Sequence, residues 1–310
     1  MKCFLGVFIL LVFSNSCKTG GQPELKSSVK SAYSGIIKES YELHKPSATS
    51  NAVLVLFGGF PETAAAIERE FEILKIAEDS QVAVLFMNYN QKLFLRKSEK
   101  EQLTKELEAI FDEHKLERDN VFIGGFSSGG NMTLLLSNHL IAVESKVQPK
   151  GVFIVDSPVD LLALYKVAEK NRKRNFSEIS TKESDWLIAL MQEEFGNPEN
   201  GISAYEEYSP FTAQSGNIQN LSSLDGVKIR LYTEPDTVWW KENRQNEADE
   251  LNAYYIEKLA NQLKGELSNS HVEFIPTENK GYRASGERHP HSWSIVDKAE
   301  LMEWMIGENE

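Results

Sequence analysis

The chain has 310 residues, 41% hydrophobic and 25% charged, which is enough apolar content for one large core or two modest ones. Its formal net charge is −13, and no basic stripe runs through it, which argues against nucleic acid as a partner. With two cysteines in the whole chain, a disulfide scaffold is excluded as a source of stability.

The first residues, "MKCFLGVFILLVFSNSCKTGGQPE", stand apart. Lys2 is a short positive segment, and Cys3 to Phe13 is an apolar run of signal-peptide length. It falls short of the ~20 residues a membrane span needs. Small residues precede Cys17, so the segment resembles a bacterial lipoprotein signal, although Ser14 stands where that signal commonly has Leu. Cleavage there gives a signal at 1–16, lipidation of Cys17 and a flexible tether over 17–27. The expected location is an exported, membrane-anchored lipoprotein, periplasmic or on the cell surface. Ordinary secretory cleavage at the same place is the alternative. Cys3 leaves with the signal, so the mature chain keeps one cysteine and no internal disulfide.

The globular part is expected over 28–310. "AYSGIIKESYELHKP" reads as two short strands ending at Pro46. "AVLVLFGG" (52–59) and "VAVLFMNYN" are unbroken apolar runs, the pattern of strands buried on both faces. Between them "PETAAAIEREFEILKIAEDS" predicts one helix, with Pro61 in its first turn and Ile67, Phe71 and Leu74 on one face. Ser98 and Glu101 have capping-box spacing and open a second helix. "VFIGG", "GVFIVD" (151–156), "VKIRLYTE" (227–234) and "HVEFIPTEN" read as further strands. Helices are expected after "VFIGG", over "EADELNAYYIEKLANQLKG" with Gly265 ending it, and over "SIVDKAELMEWMI". The alternation predicts an α/β fold, a mainly parallel central sheet with helices on both faces. A charged, helical stretch at about 160–215 interrupts the rhythm and reads as a cap inserted over the sheet.

The chemistry centres on "VFIGGFSSGGNM" (121–132). A phosphate loop would need a lysine where Gly130 stands, so that reading fails. "GFSSG" instead matches G-x-S-x-G between a buried strand and a helix. There a strained turn lifts the central serine clear of the sheet, and the helix N-terminus favours developing negative charge. In these residues and in the element order of 30–308 the chain resembles the α/β-hydrolases, a superfamily of serine hydrolases.

The resemblance implies that Ser127 is the nucleophile. It implies oxyanion donors at the Ser128 N–H and in the loop after an earlier strand, where Phe60 is preferred and Gly59 is next. The family's histidine lies between the last strand and last helix, which gives His291, with His289 as alternative. Its acid commonly follows the penultimate strand, which gives Asp236. Glu234 is the near rival, and Asp156, one strand earlier, is the second rival. The order Ser127, Asp236, His291 agrees with the family's. Trp239, Trp240 and Trp293, with Phe60 and Trp186, are candidate pocket walls, and Arg244 and Arg283 are candidate partners for a substrate carboxylate. No metal and no other cofactor is implied. The expected activity is hydrolysis of a small-molecule, glycan or lipid carboxylic ester through an acyl-enzyme. Peptide or thioester cleavage on the same residues, and a non-catalytic binding lipoprotein, are the alternatives.

Overall fold

The structure, a computed structural model, describes residues 33–89 and 92–307. The expected signal, the tether and Cys17 lie outside the described residues. No helix among the described residues is long and apolar enough to cross a membrane.

Eight strands form one sheet: β1 (Tyr33–Ile37), β2 (Tyr41–Pro46), β3 (Ala52–Phe57), β4 (Val82–Met87), β5 (Val121–Phe126), β6 (Gly151–Val155), β7 (Lys228–Thr233) and β8 (Val272–Pro276). Their order across the sheet is β1-β2-β4-β3-β5-β6-β7-β8. The first two strands pair antiparallel at one edge, and β4, β3, β5, β6, β7 and β8 run parallel.

Why the central strands are continuous apolar runs follows from the layers. Leu54, Leu56, Val84 and Phe86 face one way, against α1 (Ala64–Phe71), α2 (Leu74–Asp79) and α10 (Lys298–Ile306). Val53, Val55, Ala83 and Leu85 alternate with them and face α3 (Lys97–His114) and α4 (Ser128–Ala142). A third cluster seats α9 (Asn252–Glu266) on Val152, Ile154, Ile229 and Leu231. Each of the Val, Leu, Ile and Phe side chains contributes roughly 1.5–3 kcal/mol on burial, so a polar residue on either face would be costly.

Four boundaries differ from expectation. The single helix expected after β3 is two, because Glu72 takes a left-handed conformation (φ 49°) between α1 and α2. Thr63 caps α1 by accepting the Ala66 N–H, so Pro61 and Glu62 stay in the preceding loop. The α3 helix starts at Lys97, where the Glu99 carboxylate accepts the Arg96 N–H at 2.7 Å, placing Ser98 inside the first turn. Gly265 lies within α9 rather than beyond its end.

The stretch at 160–215 is a helical cap of α5 (Leu161–Arg174), α6 (Glu178–Phe195) and α7 (Ser203–Tyr208). Tyr165, Ile188, Met191, Phe195 and Tyr205 give it its own apolar cluster. Buried Asp160 closes it at both ends: one oxygen caps α5 through the Ala163 N–H, and the other accepts the Ala213 N–H.

Candidate active site

Ser127 sits between β5 and α4 with φ 53° and ψ −127°, a strained conformation for a residue with a side chain. The flanking glycines permit it. A Cβ on Gly125 would stand 2.2 Å from the Gly129 carbonyl oxygen, and one on Gly129 would stand 2.3 Å from that of Phe57. No ordinary side chain fits at either place, which is the physical content of the small-x-Ser-x-small pattern.

Strand register brings a second left-handed residue beside it. Phe126 pairs with Val155, so Ser127 and Asp156 are the next residues off two neighbouring parallel strands. Asp156 has φ 45° and is 4% exposed. Its Oδ1 accepts the Thr233 hydroxyl at 2.6 Å, and its Oδ2 meets His291 Nδ1 at 2.6 Å. The Asn252 amide donates to its backbone carbonyl at 2.9 Å. Thr233 thus fixes the carboxylate that faces the histidine and Asn252 the backbone that carries it, a support that sequence reading missed because neither stands near a motif.

His291 comes from the expected loop, between β8 and α10. Its ring lies 4.4 Å from that of Phe126, the residue before the serine. Ser127 and His291 line the same cleft, of about 510 Å³.

The expected acid is corrected. Asp236 does not meet His291: it caps α8 (Thr237–Arg244), with Oδ1 accepting the Trp239 N–H and Oδ2 the Arg288 guanidinium at 2.6 Å. The rival Glu234 is buried and is spent on the same loop. One oxygen accepts the Thr277 hydroxyl and the Lys280 and Gly281 N–H groups, and the other lies 2.5 Å from Arg288. Arg288 in turn donates to the Gly281 carbonyl. Both carboxylates hold the segment that delivers His291 rather than touching its ring.

The alternative histidine is also elsewhere. His289 packs on Trp239 and Trp240, at 4.7 and 5.9 Å between ring centroids, and its buried Nδ1 has no partner. Burial first, then the neighbouring Arg283, His291 and Arg244, push its pKa down to about 3.

On the oxyanion side the loop after β3 approaches so closely that a Cβ on Gly59 would lie 3.0 Å from the Ser127 Cβ. The Phe60 N–H donates to the Ser128 hydroxyl at 3.0 Å. The Gly59 N–H donates to Glu62 at 2.8 Å, so both backbone donors of this loop are engaged by protein side chains. The same Glu62 oxygen accepts the Trp293 indole N–H at 3.3 Å. Burial raises the Glu62 pKa, against those two hydrogen bonds and the nearby His291 and Arg283.

The aromatic candidates divide. Trp186 and Phe60 pack at 4.9 Å and line the cleft, as does Trp240. Trp293 is corrected to a core residue: it is 1% exposed and stacked on Phe71 at 4.6 Å. Among the described residues one group with metal-ligating atoms close together is Glu42, His44 and Glu68, on β2 and α1, and none of the three lines the cleft.

No family model matches the sequence, and no curated protein matches it either. Solved structures do match. An esterase from the bacterial hormone-sensitive lipase family superposes with a TM-score of 0.55 at 14% identity, covering 90% of this chain and 86% of the other. An S-formylglutathione hydrolase from Agrobacterium tumefaciens gives 0.54 at 11%, covering 91% and 99%. Carboxyl esterase 2 from the fungus Tuber melanosporum gives 0.53 at 15%, covering 91% and 89%. The chain has the α/β-hydrolase fold. At such identities the likeness speaks for the architecture, and the chemistry rests on the residues above.

Proposed function

We propose that the protein is a serine hydrolase of carboxylic esters working through Ser127, His291 and Asp156. The observation that carries this reading is the 2.6 Å contact of His291 Nδ1 with buried Asp156, beside a serine held at a strained strand-to-helix turn on the same cleft. Asp156 accepts a hydrogen bond from the Nδ1–H, which stays on the ring and leaves Nε2 as the base that takes the Ser127 proton during attack on the acyl carbon. The imidazolium formed is stabilised by the same carboxylate and returns the proton to the leaving alcohol. Water then repeats the sequence on the acyl-enzyme.

Negative charge on the tetrahedral oxygen is met by the Ser128 N–H at the start of α4 and by the Phe60 N–H. The latter reaches a substrate only if the Ser128 hydroxyl that now accepts it turns away. The cap lies over this centre and supplies Leu164, Val167, Leu187 and Trp186 as an apolar wall, suited to an acyl or aryl group.

Turnover of para-nitrophenyl esters of increasing acyl length, run beside thioesters and dipeptides, tests the reading. Ester hydrolysis that disappears in Ser127→Ala is the expected result. Peptide or thioester turnover without ester turnover would shift the substrate class, and inactivity throughout would leave a binding protein. Export and lipid anchoring through Cys17 form a separate proposal, checked by palmitate labelling that a Cys17→Ala chain fails to take up.

A further inference from the structure

The cleft carries two arginines that the proposed chemistry leaves unused. Arg244 comes from the end of α8, and Arg283 from the loop that holds His291; both line the cleft beside Phe60, Trp186 and Trp240. Their electrostatic situations differ from those of the other arginines. Among the described residues Arg283 is the one arginine with no acidic side chain within 4.0 Å. Arg244 has a single loose partner, Glu183 at 3.6 Å.

Of the acidic groups on the cleft, Glu183 meets Arg244 alone, and none stands within 4.0 Å of Arg283. Glu62 is taken up by the Gly59 N–H and the Trp293 indole. Glu250 is taken up by Arg174, Lys170 and Asn246. Both guanidiniums act on His289 strongly enough to help hold its ring neutral. A chain of net charge −13 thus keeps on its cleft one arginine, Arg283, with no carboxylate in contact, and a second, Arg244, held only loosely.

We propose that the substrate is an ester carrying its own carboxylate, and that Arg283, assisted by Arg244, binds that group. The assignment rests on the serine hydrolase reading and narrows its substrate class. A planar guanidinium takes a carboxylate through two parallel hydrogen bonds. A partly buried pair of this kind contributes about 1.5–3 kcal/mol, roughly ten- to hundredfold in binding. The apolar cap wall then meets the rest of the substrate, so charge selects and the wall packs.

Two matched pairs of substrates test this and distinguish the side of the ester that bears the charge. On the acyl side the pair is para-nitrophenyl valerate and mono-para-nitrophenyl glutarate. On the alcohol side it is para-tolyl acetate and para-carboxyphenyl acetate. The readout is the anionic-to-neutral ratio of kcat/KM within each pair, in the wild type, in Arg283→Gln and Arg244→Gln, and in the surface control Arg172→Gln. The expected result is a ratio of about ten or more in at least one pair. It should be carried mainly by KM, shrink with added salt, fall toward one in Arg283→Gln and stay put in the control. Serine-dependent hydrolysis with no anionic preference in either pair, or a preference untouched by Arg283→Gln, overturns the assignment and leaves the hydrolase reading standing. No turnover of any of the four esters fails the underlying reading and takes the assignment with it.

Discussion

Asp156 combines a left-handed backbone with a carboxylate on the imidazole, and this makes asparagine its most informative replacement. Asn tolerates that backbone and keeps the shape, but it removes the charge and can favour the wrong ring tautomer. Asp156→Asn is therefore expected to lower kcat for an ester by about a thousandfold or more with little change in melting temperature. Asp236→Asn is expected to cost about tenfold or less, because Asp236 acts on the Arg288-held loop and not on the ring. Comparing kcat for the two variants settles which carboxylate serves the histidine; the opposite ranking would restore Asp236. From the sequence the placement of Ser127 and His291 on one cleft was legible, one by its glycine setting and the other by its position before the last helix. The acid was not. Asp156 and Asp236 both follow buried strands, and the choice depends on which side the 277–291 loop approaches from. That approach is set by Glu234 and Arg288 across the fold.

The elements that carry the site are the ones whose patterns were clearest. The β3, β4, β5 and β6 strands show as unbroken apolar runs because both of their faces are covered. Helix limits were less legible: a left-handed Glu72 and a cap at Thr63 leave little trace in hydrophobic periodicity. The α8 helix was missed because none of its residues is buried and its start, Asp236, looked like a free acid. The elbow between β5 and α4 depends on the absence of one carbon atom. Gly125→Ala would press a Cβ into the Gly129 carbonyl at 2.2 Å, against backbone that cannot turn aside. We expect it to destabilise by about 3 kcal/mol or more and to disable the serine. A denaturant midpoint unchanged from the wild type would show that the turn is not packed as described.

At the scale of the whole molecule, a half-buried histidine and a buried glutamate make stability depend on acid. His289 has its pKa pushed down to about 3 from the ordinary 6.5. Above pH 6.5 neither state binds its proton; as pH falls toward 3 the unfolded chain takes up a proton that the folded one refuses, so stability is lost on the way down. Glu250 works in the same direction at lower pH. Burial opposes its ionisation, but Arg174, the Glu247 N–H and Lys170 together pull it down to about 2 from 4.5. Its contribution is complete above pH 4.5 and disappears toward 2. Thermal melts across pH should therefore show His289→Leu losing less stability than the wild type between 6.5 and 4.5. Glu250→Gln should show the smaller loss below 4.5 and a lower melting temperature at neutral pH. Parallel pH curves for all three proteins would remove both groups from the account.

The central claim is that one strained serine, Ser127, is the nucleophile, activated by His291. It is met most directly by treating the protein with a fluorophosphonate, followed by intact mass and peptide mapping. The expected outcome is a single adduct on Ser127, absent from Ser127→Ala, strongly slowed in His291→Ala and retained in Ser128→Ala. An adduct on Ser128 or another residue, or labelling that persists undiminished in Ser127→Ala, would contradict it.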